Sequence, residues 1–140
     1  MKSFLKYIIN FTWCLPQNIL GLVLFSKYKG QKRERFFDTM LTYHDGSWGG
    51  VSLGMFIFVA GNRDEDWIRK AKVHEYGHYL QSLILGPFYL LIIGIPSFIW
   101  CNAKKYKDLR KNTGKSYFKF FPERWANHLG GKKTGLPTPE

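Results

Sequence analysis

The stretch VHEYGHYLQS, residues 73–82, places two histidines four residues apart, with a glutamate directly after the first. An α-helix has about 3.6 residues per turn and rises about 1.5 Å per residue, so His74 and His78 project from one face. Their imidazoles can then bind one tetrahedral zinc ion, while Glu75 is offset toward a water at the metal. The motif therefore predicts a zinc site in which Glu75 is the general base.

Two ordinary helix histidines beside a surface glutamate would give the same spacing. Gly77, inside the motif, argues against that alternative. A glycine in the middle of a helix costs about 1 kcal/mol relative to alanine, so it needs a compensating reason. We interpret Gly77 as a point where another backbone comes close, or where a metal pocket is tight.

The sequence around the motif predicts an α+β fold, with a zincin-like active helix beside a small sheet. Residues 51–59 form an apolar run rich in β-formers, which we interpret as one strand with at most a short partner before it. The pattern is helical from about residue 64 to residue 85, with Asn62 and Asp64 as candidate caps and Gly86-Pro87 as the end. A strand beside the active helix would align an extended peptide.

A catalytic zinc ion takes three protein ligands, and Glu123 is the expected third ligand. It starts a C-terminal helix, expected from Pro122 to Gly130-Gly131, in an apolar setting where an unpaired carboxylate would be costly. Asn127, one turn later, can accept a hydrogen bond from a ligating imidazole. Two alternatives stay open: Glu123 serves only the helix dipole, or His128 is the third ligand instead.

These two motifs resemble those of the gluzincin group of zinc metallopeptidases. In that group a glutamate from a later helix joins the histidines of H-E-x-x-H, and an acidic residue follows four positions on. The matching residues are His74, Glu75, His78 and Glu123, with Asn127 in the last position. The resemblance covers residues 51–131 and implies zinc-dependent hydrolysis of peptide or protein substrates. Asn127 departs from the pattern, because it orients a histidine without the basicity of a carboxylate.

A peptidase also needs a group that stabilises the oxyanion of the transition state. The candidates near the motif are Tyr43, His44, Tyr76 and Tyr79. Their spacing does not choose among them, and for each a packing or surface role is the more common one.

Charge and hydropathy indicate a partner with an anionic surface. The 21 basic and 10 acidic residues give a formal charge of +11, which suits nucleic acid or lipid headgroups. Basic residues bracket apolar segments, which is typical of lipid-facing proteins, and no nucleic-acid recognition motif is present. We therefore expect a membrane surface of anionic lipid as partner and no nucleic acid. The layout also resembles short bacterial membrane-associated proteins with an H-E-x-G-H helix.

The expected organisation has three parts. Residues 1–35 are interpreted as two short helices hinged at Pro16 with a basic flank, forming a membrane-surface anchor. Residues 36–131 form the metallopeptidase-like domain. Within it, the uncharged stretch 87–101 is too short for a simple span and is either a re-entrant or interfacial hairpin or a buried helix pair. Residues 132–140 are expected to be a disordered tail.

Two cysteines, Cys14 and Cys101, are too few for a disulfide framework. With no cleavable signal, they favour a position at the cytoplasmic face of a membrane.

Two other functions compete with the peptidase: a non-catalytic zinc-containing membrane adaptor and a basic nucleic-acid-binding module. An intact Glu75 argues against the adaptor, because a structural zinc site has no use for a general base.

Overall fold

The helix that carries the two histidines lies at the centre of the fold. A computed structural model describes residues 2–139. This helix, α3, spans Glu65–Leu85. The Asp64 carboxylate caps it by accepting a hydrogen bond from the Trp67 backbone N–H at 2.9 Å. It ends at Gly86, whose φ of 55° suits a residue without a Cβ atom. Both predicted ends of the helix are confirmed.

A four-stranded mixed sheet packs against α3, and the α+β class is confirmed. The strands are β1 (Arg33–Phe36), β2 (Thr39–His44), β3 (Gly50–Leu53) and β4 (Phe56–Ala60). Their order is β1-β2-β4-β3, with β2 and β4 parallel and the other two pairs antiparallel. Tyr76 and Tyr79 of α3 pack with Leu41 and Ile57 of the sheet, and all four are nearly or fully buried. The main core therefore lies between α3 and the sheet.

The expectation of one strand over residues 51–59 was wrong. Gly54, with a φ of 64°, makes a turn inside that run and divides it into the antiparallel pair β3 and β4. Strand β1 was missed because its residues were interpreted as part of a basic flank, and β2, which lies outside that flank, was not assigned as a strand. In the fold, Glu34 of β1 accepts hydrogen bonds from Tyr43 at 2.7 Å and Lys72 at 2.8 Å. The Glu34 carboxylate therefore links β1 to β2 and to α3.

The C-terminal helix α6, Phe121–Thr134, crosses α3 at two glycines. A Cβ atom on Gly77 would lie 1.8 Å from the Ala126 carbonyl oxygen, and one on Gly130 would lie 2.2 Å from the Val73 carbonyl oxygen. The close backbone approach predicted at Gly77 is confirmed. The predicted start of α6 near Pro122 is also confirmed.

The predicted end of α6 at Gly130-Gly131 was wrong, because Gly130 serves the crossing with α3 and the helix continues past it. It ends at Gly135, which is left-handed. Residues 132–134 are thus helical rather than part of a disordered tail. Further along, the Pro139 carbonyl accepts a hydrogen bond from Asn127 at 2.7 Å, and Glu140 lies outside the described residues.

Replacing Gly77 with alanine is expected to lower the free energy of unfolding by about 3 kcal/mol, because the added methyl group overlaps the backbone of α6. Urea unfolding of the full chain measures the change. Gly30→Ala is the control, since nothing lies within 4 Å of a Cβ atom there. Equal stability of the two variants would contradict the crossing geometry.

Two apolar segments surround this core. The first comprises α1 (Lys2–Phe11) and α2 (Leu15–Lys27), which meet at 98°, with Pro16 in the first turn of α2. The second continues from Gly86 through a 3₁₀ turn and a π-helical turn into α4 (Ile95–Asn102), bent by 119° from α3. Helix α5 (Lys104–Thr113) follows. Within residues 2–139 each helix alone is too short or too polar to cross a bilayer, although either bent pair would reach the required length and composition.

Candidate metal centre

Three buried side chains from α3 and α6 converge at one point. The Nε2 atoms of His74 and His78 lie 2.9 Å and 3.0 Å from the same Glu123 oxygen, Oε2. The histidines are 6% exposed and Glu123 is 1% exposed. All three candidate ligand atoms lie within 4.8 Å of one another, and this group could hold a metal ion. The long sequence separation is closed by the glycine crossing of α3 and α6.

Two amides fix the orientation of the imidazoles. The Oδ1 atom of Asn127 lies 2.7 Å from Nδ1 of His74, and the Oε1 atom of Gln81 lies 2.7 Å from Nδ1 of His78. Each amide nitrogen donates to a backbone carbonyl, that of Pro139 for Asn127 and that of Pro122 for Gln81. Each amide oxygen is therefore the acceptor of an Nδ1–H proton.

This arrangement leaves three lone pairs pointing at each other. A neutral imidazole whose Nδ1 carries the proton has only an acceptor at Nε2, and an ionised carboxylate is also only an acceptor. Repulsion between these atoms is relieved by a shared cation or by added protons. In a tetrahedral zinc site with bonds of about 2.0–2.1 Å, ligand atoms lie about 3.3 Å apart, close to the spacing of the Glu123 oxygen from each histidine. The donor set fits such an ion.

Glu123 itself is held in its ionised form. In the absence of a cation, added protons on the imidazoles relieve the repulsion: burial raises the pKa of Glu123, but His78 and His74 in their protonated form lower it more, and the pKa lies below the ordinary value. Its second oxygen, Oε1, is buried and has no hydrogen bond of 3.5 Å or less within residues 2–139, although the Tyr117 hydroxyl is close enough to interact with the carboxylate. A buried carboxylate oxygen without a partner costs free energy, so this atom also fits a site that takes a cation.

Glu75 lies beside this group on α3 and faces the edge strand β3. Its side chain is buried and has neither a hydrogen bond nor an ion pair with the rest of the described chain. A Cβ atom on Gly50 would lie 2.7 Å from its Oε1 atom, so the glycine leaves room for the carboxylate. Burial raises the pKa of Glu75 to about 7, although His74 lowers it and Glu123 raises it further. Such a pKa suits a group that takes and returns a proton near neutrality.

The alternative third ligand, His128, lies apart from the convergent side chains. It is exposed on α6, outside the group formed by His74, His78 and Glu123. Its neighbour Asn127 faces α3, and adjacent residues on a helix point about 100° apart.

The four residues considered as oxyanion stabilisers make their hydrogen bonds and ring contacts with other parts of the fold. Tyr43 donates to Glu34, and Tyr76 donates to Asp38 at 3.4 Å. The Tyr79 hydroxyl is paired with Asn10 at 3.4 Å. His44 lies 2.7 Å from the Gly49 carbonyl oxygen and stacks on Trp48. These contacts support the packing roles that the sequence left open for all four residues.

Sequence reasoning missed Gln81, Tyr89 and Tyr117. Gln81 follows His78 by three residues, so helical spacing alone could have identified it as a partner for that imidazole. Burial, with the charges of Glu75 and Glu123, raises the pKa of Tyr89. Burial and the Glu123 charge do the same for Tyr117. No periodic signal places either tyrosine near the carboxylates, because both come from irregular connections.

No family model, curated protein or solved structure matches this chain.

Proposed function

We propose that this protein is a zinc-dependent metallopeptidase that uses Glu75 as its general base. One observation carries the proposal: the lone pairs of His74, His78 and Glu123 converge in a buried site while both Nδ1–H protons are committed to amides. A cation at this point satisfies all three ligands at once. The adjacent unpaired carboxylate of Glu75 has no structural task that would explain its burial.

Zinc is the metal that this donor set favours. Two imidazoles and one carboxylate form a common ligand set of catalytic zinc sites, which keep a further position for water or substrate. Calcium and magnesium prefer sites made of oxygen ligands alone. Bound zinc supplies Lewis-acid polarisation of a carbonyl group and lowers the pKa of water toward neutrality.

Protein side chains supply the proton transfers and the positioning. Glu75, buried beside the ligands, would accept a proton from the attacking water and deliver it to the leaving amine. Asn127 and Gln81 hold the imidazoles in one tautomer and one orientation, which maintains the ligand geometry during turnover.

The edge strand β3 offers a place for an extended substrate. It pairs with β4 on one side only, and Gly50 at its start contacts Glu75. A peptide added along the free edge would form main-chain hydrogen bonds and bring a scissile bond toward the carboxylate.

Metal removal tests the proposal. The purified full chain is expected to contain about one zinc per chain by elemental analysis and to hydrolyse unfolded casein. Treatment with 1,10-phenanthroline should remove both the metal and the activity, and added zinc should restore them. The non-chelating isomer 1,7-phenanthroline is the control. Zinc-free protein as isolated, or casein hydrolysis that survives complete metal removal, would overturn the assignment.

A further inference from the structure

The segment of helices α1 and α2 buries its three amide side chains and exposes most of its large apolar ones. Asn10, Gln17 and Asn18 are at most 1% exposed. Eleven large apolar side chains of the same segment are exposed, namely Phe4, Leu5, Tyr7, Ile8, Phe11, Trp13, Leu15, Ile19, Leu20, Leu22 and Val23. A surface helix in water has the opposite arrangement, with the apolar stripe facing the core.

The segment after the histidine helix shows the same pattern. Its exposed large apolar residues are Ile84, Phe88, Leu91, Ile92, Ile95, Phe98 and Ile99. We call these residues, together with those of α1 and α2, the apolar face. They account for eighteen of the twenty-two exposed large apolar side chains in the described chain, so the exposure is concentrated in these two segments.

Buried hydrogen bonds hold the two segments together. Gln17 donates to the Ser82 hydroxyl at 2.8 Å and to the Gly86 carbonyl at 3.0 Å. The Trp13 indole donates to the Leu83 carbonyl at 3.1 Å. The donor groups of these side chains are thus paired inside the protein, while the Oε1 atom of Gln17 has no hydrogen-bond partner within residues 2–139. Such internal pairing is required where the surrounding medium cannot form hydrogen bonds.

We propose that the apolar face inserts into one leaflet of an anionic lipid bilayer. Lipid is the occupant that this inversion favours, because a water-facing surface would keep Asn10, Gln17 and Asn18 outside. The distribution of positive charge also supports a lipid partner. Exposed lysines lie at the end of both apolar segments: Lys27 is the last residue of α2 and Lys29 follows it, and Lys104, Lys105 and Lys107 follow α4. These positions match the anionic headgroups at the border of the hydrocarbon layer.

Insertion would bring the candidate metal centre close to the membrane surface. His78 precedes the exposed Ile84 by six residues on the same helix, a distance of about 9 Å along the axis. On the basis of the proposed function, the substrates would then be polypeptide segments at the headgroup level of a membrane.

Vesicle flotation tests the insertion without using hydrolysis. The full chain is mixed with vesicles of phosphatidylcholine containing phosphatidylglycerol and floated in a density gradient. Val23→Glu, Leu91→Glu and Phe98→Glu each place a charge on a side chain that is already at least 66% exposed. Each is expected to weaken vesicle partitioning at least about tenfold while unfolding stability stays unchanged. Leu136→Glu adds the same charge at an exposed leucine beyond α6 and should partition like the wild type.

The wild type is expected to remain with the vesicles in high salt after binding, because apolar insertion is not screened. Wild-type protein that stays in the aqueous fraction would overturn the proposal. A vesicle-independent dimer that the same three substitutions dissociate would also overturn it, in favour of a second copy of this chain on the apolar face. Zinc content and casein hydrolysis are measured separately, so failure of insertion and failure of the proposed function are distinguishable.

Discussion

Replacing Glu75 with glutamine is expected to lower hydrolysis by about 10²–10⁴-fold while zinc content stays at the wild-type level. Glutamine has nearly the same shape, so it fits the space beside Gly50 that the carboxylate occupies. It cannot take a proton from water, and it is not part of the group formed by His74, His78 and Glu123. The loss should therefore appear in turnover and not in metal binding.

Glu65→Gln is the matched control for this experiment. It makes the same chemical change on the same helix, at an exposed position in the first turn. Initial rates on casein and zinc per chain are measured for both variants beside the wild type. Full activity in Glu75→Gln would remove this residue from the chemistry, and a joint loss of zinc would show that it acts by holding the site together.

Replacing Glu123 with alanine is expected to weaken zinc binding by more than about 100-fold, since loss of an outer partner alone costs 10–100-fold. The substitution removes the negative ligand and leaves two imidazoles on one helix. Zinc titration with a competing fluorescent chelator measures the affinity, and elemental analysis measures the metal carried through purification.

His128→Ala is the control for the third-ligand assignment. His128 lies on the same helix but is exposed, and it is separate from the convergent ligand atoms. Its removal should leave the zinc affinity unchanged. Tight zinc binding in Glu123→Ala, combined with loss of binding in His128→Ala, would reverse the assignment and remove the main support for the peptidase.

Local sequence was sufficient for the histidine helix and its contribution to the site. Asp64 caps α3, Gly86 ends it, and the spacing of His74 and His78 puts both rings on one face. These properties depend on helix geometry and on neighbouring residues in the chain, so they can be deduced without knowledge of the fold. Gly77 predicted the close approach of another backbone, because a glycine in the middle of a helix is costly unless it makes room for a neighbour.

Glu123 could be chosen from the sequence because burial of a carboxylate in an apolar setting needs a partner. Asn127, one turn later, and the resemblance to the gluzincin motifs then connected it with the histidines. The structure adds the partner for the second imidazole, Gln81, and it places Tyr89 near the carboxylates. These contacts join residues whose separation in sequence carries no periodic signal.

The sequence by itself determined the type and the ends of α3, the start of α6 and the residues able to bind a metal, because each depends on short-range geometry and side-chain chemistry. Only the tertiary structure decided the strand order β1-β2-β4-β3 and the path of α6 past Gly130. It alone also decided that Asn10, Gln17 and Asn18 of α1 and α2 point inward. Strand pairing and helix crossing depend on which distant backbone and side-chain groups satisfy one another, and no local pattern specifies that choice.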